Sequence, residues 1–146
     1  GYIKIPPIFG VPVILTNLTG STIQFYNLFN NDLFLPKLLK RKSSNSYLSL
    51  RELMSPPLSI IWRMENFNDL GLHWVENTPD ELEAATKEML ERTGVSKNVE
   101  YSEDSLQIKF KAVADSCGKN YGNRHARALV TLPRDFLEKH VDLLKD

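Results

Sequence analysis

The stretch with the clearest chemical potential is Thr16-Asn17-Leu18-Thr19-Gly20-Ser21-Thr22. Small hydroxyl residues and a glycine let a loop turn tightly and expose backbone N–H groups, and such a concavity can hold a phosphate. An ordinary polar strand-to-helix loop has the same composition, so both readings stay open at this point. Neither the G-x-G-x-x-G fingerprint nor the Walker A lysine motif occurs in the chain. The histidines are His73, His125 and His140, and none stands at metal-ligand spacing from another histidine or a carboxylate. His73 is expected to pack within a strand. His125 lies among Arg124 and Arg127, where an anion could be held. His140 falls near the end of a C-terminal helix, where the dipole favours a cation. All three read more readily as structural than as catalytic. Asp80, Glu81 and Glu83 are accounted for by helix capping and exposure to water. No Ser/His/Asp or Cys/His arrangement presents itself. Trp62 and Trp74 could stack on a base or a sugar, but a place in the core is the expectation.

The elements that position these residues follow from apolar periodicity and from start and stop signals. Residues 11–16, Val-Pro-Val-Ile-Leu-Thr, form a continuous apolar run after Gly10, which predicts a strand buried on both faces. Residues 33–39 predict a second strand, with Pro36 arguing for an edge or irregular position. Ser49-Leu50-Arg51-Glu52 fits a capping box opening a helix that Pro56 and Pro57 stop. Residues 72–76 predict a third strand. Thr78-Pro79-Asp80-Glu81 is a strong helix start, with Thr78 as cap, Pro79 in the first turn and Glu81 completing the box. Leu82, Ala85 and Met89 then share a face, Glu88 and Arg92 can pair, and Gly94 ends the helix. A further helix starts at Ser102 and carries Leu106, Phe110, Val113 and Cys117 at helical spacing. A last helix is expected from about Pro133 to Leu144, with Leu137, Val141 and Leu144 along one face.

Strands alternating with helices predict α/β layering around a parallel sheet. Three strands are few for such a sheet, and two of them are candidates for edges. The chain also opens on Gly1 and directly on apolar residues. Both observations create the expectation that residues 1–146 are one domain continuing from upstream sequence, or completed by a second copy that covers the open sheet edge.

The chain has 146 residues, 42% hydrophobic and 25% charged, with a formal net charge of zero. These are ordinary globular values, and they give no electrostatic footprint for nucleic acid or an acidic membrane surface. No apolar run approaches the roughly 18 residues of a membrane span, and no signal peptide is recognisable. Cys117 is the only cysteine, which allows neither an internal disulfide nor a zinc cluster. It is expected to be a buried small hydrophobe, compatible with a reducing cytoplasm. No metal and no cofactor are expected.

The succession Ile5-Pro6-Pro7-Ile8-Phe9-Gly10-Val11-Pro12-Val13-Ile14-Leu15-Thr16-Asn17, then Leu33-Phe34-Leu35-Pro36-Lys37, then Tyr47 to Glu52, then Gly71 to Leu82, resembles GT-B-type bacterial glycosyltransferases associated with surface polysaccharides. The tail Arg134-Asp135-Phe136-Leu137 with His140 and Leu143-Leu144 is similar to the end of those proteins. The resemblance implies a partial Rossmann-like parallel sheet flanked by helices, with C-terminal helices. It makes this chain the C-terminal half of a nucleotide-sugar-binding domain. It implies that Thr16, Asn17, Thr19, Gly20 and Ser21 line the donor cleft, where backbone N–H groups meet the diphosphate or ribose of a UDP- or GDP-sugar. The parent enzyme would move that sugar to a glycan or lipid-linked acceptor. The catalytic residues would lie upstream, and this chain alone is expected to be inactive. The alternatives are a fragment of a nucleotide-sugar epimerase and a non-enzymatic interaction module.

Overall fold

A computed structural model describes residues 5–18, 32–60, 65–94, 104–118 and 131–145. The chain is mixed α/β, with one parallel and one antiparallel strand pair among the described residues. After a short helix α1 (Ile5–Ile8), strand β1 (Ile14–Leu18) runs parallel to β2 (Leu33–Pro36). The ladder aligns Ile14 with Leu33, Leu15 with Phe34 and Thr16 with Leu35, and is interrupted between Thr16 and Leu18. Asn17 causes the interruption: its φ of 54° lies in the left-handed region, which asparagine tolerates better than most residues.

The burial of the two strands reverses the expectation. The doubly buried strand is β2, in which Leu33, Phe34, Leu35 and Pro36 are all buried. It lies between β1 and a parallel bridge to Thr131, with the Phe34 N–H donating to the Thr131 carbonyl at 2.9 Å. Within Ile14–Asn17 of β1 only Leu15 is fully buried, and Val11 ahead of it is exposed. Pro36 is tolerated inside the molecule because the ladder stops there. After Lys37 the chain resumes as β3 (Leu38–Arg41), which pairs antiparallel with β4 (Leu72–Val75). The single strand expected over 33–39 is therefore two strands in two ladders. The strand expected over 72–76 forms, but antiparallel to its neighbour. On its other side β3 meets the segment after the 41–46 turn, where Leu48 N–H donates to the Leu39 carbonyl at 2.9 Å.

The helix signals translate directly. α2 (Leu50–Met54) carries the full capping box of Ser49 and Glu52. It is followed by a cis Pro56–Pro57 bond, a 3₁₀ turn at Leu58–Ile60 and α3 (Glu65–Asp69). α4 (Pro79–Arg92) carries the box of Thr78 and Glu81 and gives way to Gly94 at φ 75°. α5 (Ser105–Gly118) buries Phe110, Val113, Ala114 and Cys117. Its first described cap is Asp104, whose Oδ1 accepts from the Leu106 N–H at 3.3 Å; Ser102 lies outside the described residues. One core joins Leu15, Phe34, Leu35, Leu39, Leu53, Ala85, Phe110, Phe136 and Leu137.

The C-terminal helix is shorter than expected. α6 (Arg134–Lys139) ends at His140, whose φ of −118° and ψ of 33° break it, and a 3₁₀ turn follows at Val141–Leu144. The turn changes which residues face inward. Val141 is 43% exposed and Leu143 only 5%, so the face runs through Phe136, Leu137 and Leu143 and not through Val141.

Candidate functional site

Thr16 and Asn17, expected at a donor cleft, end β1 beside the start of α4. Thr19, Gly20 and Ser21 lie outside the described residues. Asn17 takes part in a reciprocal clamp. Its backbone N–H donates to Asn77 Oδ1 at 2.8 Å, and the Asn77 N–H donates to Asn17 Oδ1 at 2.9 Å. Asn77 Nδ2 completes the unit by donating to the Pro36 carbonyl at 2.9 Å. The buried Asn77 thus ties the ends of β1 and β2 to the residue before the α4 cap. The clamp consumes the Asn17 N–H, so this group is unavailable to a phosphate. The α4 N-terminus beside it is also committed, because Thr78 Oγ1 accepts from the Glu81 N–H and Glu81 Oε2 accepts from the Thr78 N–H. With Asp80 and Glu81 in that turn, the helix end presents carboxylates where an anion would need donors.

A second arrangement joins residues read separately in the sequence. His140 Nε2 lies 2.9 Å from Glu81 Oε1. Glu81 therefore divides its carboxylate: one oxygen caps α4 and the other holds the imidazole. With Nε2 facing a carboxylate, Nε2 is the nitrogen that carries a proton. Nδ1 has no partner among the described residues. The ring is fixed on two further sides. Phe136 lies 4.7 Å away in a tilted contact, and Tyr47 meets it edge-on at 5.8 Å. Lys40 Nζ sits 4.4 Å from the centre of the Tyr47 ring.

His140, Tyr47 and Lys139 line two clefts. The larger, about 820 Å³, opens between the β3 turn, the start of α2 and the C-terminal turn, with Ser46, Ser49, Arg51 and Glu52 among its lining. The smaller, about 200 Å³, opens towards Asn77, Thr78 and Glu81. The cations and carboxylates of the larger cleft have partners. Lys145 pairs with Asp142, Glu52 with Arg41 and Lys139 with Asp135, and Arg51 donates to Ser116 Oγ at 2.9 Å. The hydrogen bond to Asp135 holds the Lys139 ammonium above its ordinary pKa.

The remaining candidates are structural or lie outside the described residues. His73 sits on β4 opposite Lys40. Trp74 packs edge-on to Phe67 at 4.6 Å, and Cys117 is buried. His125 and Trp62 fall outside. Among the described residues there is no group of three or more side chains fit to hold a metal, and no helix is long and apolar enough to cross a membrane. The Glu81–His140 pair left no trace in the sequence, because its members stand 59 positions apart and each had a sufficient local explanation. Comparison of the chain with protein-family models, with curated proteins and with solved structures finds no match.

Proposed function

We propose that this chain is the C-terminal half of the nucleotide-sugar-binding domain of a GT-B-type glycosyltransferase, a cytoplasmic enzyme that moves a sugar from a nucleotide donor to a glycan or lipid-linked acceptor. The observation that carries this reading is the parallel alignment of β1, β2 and Thr131. In open α/β sheets ligands sit beyond the carboxyl ends of parallel strands. The segment Thr16–Ser21 leaves β1 at that end. On this reading Asn17 holds the turn, and Thr16, Thr19, Gly20 and Ser21 meet the donor through hydroxyls and backbone N–H groups. The clamp on Asn17 moves the diphosphate contacts to residues after Leu18.

The test is a thermal titration of the chain with UDP, GDP and nucleotide sugars. A ligand at one hundred times its Kd stabilises the fold by about 2.7 kcal/mol, or roughly 5–10 °C for a chain of this size. Thr19→Trp and Ser21→Trp should abolish the shift and leave the unliganded melting temperature in place. No shift with any nucleotide counts against the reading. Product analysis then separates transferase from epimerase, because an epimerase changes the sugar with no acceptor present.

A second reading, an interaction module, is favoured by one observation. Ile8 and Phe9 are each 77% exposed, next to the exposed Ile5 and Val11. An apolar group of this kind beside β1 suits a second copy of the chain. Light scattering would refute this reading by finding a monomer at high concentration.

A further inference from the structure

We propose that the outer edge of β1 is the surface through which two copies of this chain pair, strand against strand, about a two-fold axis at Leu15. The inference rests on the second reading above, in which the chain meets its own copy, and assigns the segment and the geometry of that contact.

The backbone pattern defines the edge. Leu33 N–H donates to the Val13 carbonyl at 3.0 Å, whereas Phe34 N–H turns to Thr131 on the other side. With Leu15 aligned to Phe34, the N–H and C=O of Leu15 therefore face β2, and those of Ile14 and Thr16 face away from it. These outward groups have no partner among the described residues. The open stretch is short. Pro12 has no N–H to offer before it, and Asn17, at φ 54°, leaves the extended conformation after it. An antiparallel copy centred on Leu15 matches this window without remainder: Ile14 of one chain meets Thr16 of the other, each donating to and accepting from its opposite, and the symmetry repeats the pair.

Two further observations favour a second copy as the occupant. The first is charge. Sheet edges left in water are commonly guarded by charged side chains that keep other strands away. Of the whole chain 25% is charged, yet Ile5 to Leu18 holds no charged residue, so nothing in this segment repels a copy of itself. The second is area. Ile5, Ile8, Phe9 and Val11 lead into β1 and are exposed, and antiparallel pairing runs this approach alongside the far end of the other copy's strand. Together they offer on the order of 500 Å² of side-chain surface on each chain, so two copies reach the roughly 1,000 Å² that a specific interface needs.

The experiment is amide hydrogen exchange on the whole ¹⁵N-labelled chain across a dilution series, with sedimentation velocity giving the mass at each concentration. The chain should pass from monomer to dimer, and the amides of Ile14 and Thr16 should gain protection along the same curve. The Leu15 amide, held by β2, should be protected at both ends of the series. Ile8→Ser and Phe9→Ser change exposed side chains outside the core, so each should raise the dimer dissociation constant by about tenfold or more and leave the melting temperature of the dilute chain in place. A monomer at every concentration overturns the proposal together with the reading beneath it. A dimer whose Ile14 and Thr16 amides exchange as fast as in the monomer overturns the proposal alone, since the copies then meet through another face. Protection of those amides that does not change with concentration also overturns it, because the edge is then covered from within the chain.

Discussion

Replacing Asn77 by alanine should destabilise the protein by about 2–4 kcal/mol, although the side chain is polar and stands outside any strand or helix. Its amide meets two backbone groups of distant segments, the Asn17 N–H at 2.8 Å and the Pro36 carbonyl at 2.9 Å. Asn77 is 9% exposed, so water cannot readily replace what alanine removes. Each buried backbone group left without a partner costs about 1–3 kcal/mol, and partial rehydration at the rim of Asn17 brings the sum below the upper limit. With a urea m-value of about 2 kcal/mol per molar, the midpoint should fall by about 1–2 M. Trp74 fluorescence would follow the transition. Asn77→Asp separates the two bonds, because it retains the acceptor for Asn17 but sets a carboxylate oxygen against the Pro36 carbonyl. Asn17→Ala should cost about 2–3 kcal/mol, since alanine loses the acceptor for the Asn77 N–H and must also adopt a φ of 54°. The two positions share one local geometry, so the double variant should cost less than the sum of the single variants. An Asn77→Ala midpoint within about 0.3 M of the parent would refute the reasoning, as would strict additivity of the two substitutions.

Glu88→Gln should cost about 3 kcal/mol by urea unfolding. Both Arg92 and the Arg134 N–H rely on that buried carboxylate, at 2.6 and 2.7 Å. Phe110→Ala should cost about 3–5 kcal/mol, since the ring is fully buried against the core. Lys87→Ala should return the Glu83 carboxyl to its ordinary pKa near 4.5, followed by carbon-detected NMR, because the hydrogen bond and charge of Lys87 now hold it lower. The sign of the linkage follows. The pair supports the fold at neutral pH. Glu83, with its depressed pKa, gives up its contribution as pH falls below about 4.5. Lys87, whose pKa is raised, gives up its own as pH rises beyond about 10.5. Both groups are fully exposed, so salt should screen the effect.

The helix starts were legible because capping is local: Ser49 with Glu52 and Thr78 with Glu81 lie three positions apart, and both boxes form. The apolar face of α5 was legible for the same reason, since periodicity alone identifies Phe110, Val113 and Cys117. Relations between segments were not. Whether residues 72–75 run parallel or antiparallel to their neighbour depends on how the chain returns, and no residue in the strand encodes it. Pro36 was read as a mark of an edge or irregular position, and it stands where the ladder is irregular, at the end of a fully buried strand. The break at His140, whose ring meets a carboxylate from another helix, was hidden inside an apolar repeat that suited a longer helix. The Asn17–Asn77 clamp was equally hidden, because an asparagine before a helix and one after a strand each look like ordinary turn residues.

The unbroken passage of the chain from β2 into β3 has a consequence for how the protein opens. One extended segment, Leu33 to Arg41, supplies a strand to each ladder, with only Lys37 between them. Neither ladder can separate without pulling on a backbone that the other still holds. The two pairs should therefore behave as one cooperative unit in native-state hydrogen exchange. The amides of Leu33, Phe34 and Leu39 should exchange only through global unfolding, whereas those at the C-terminal turn after His140 should exchange through smaller openings that leave the central segment closed.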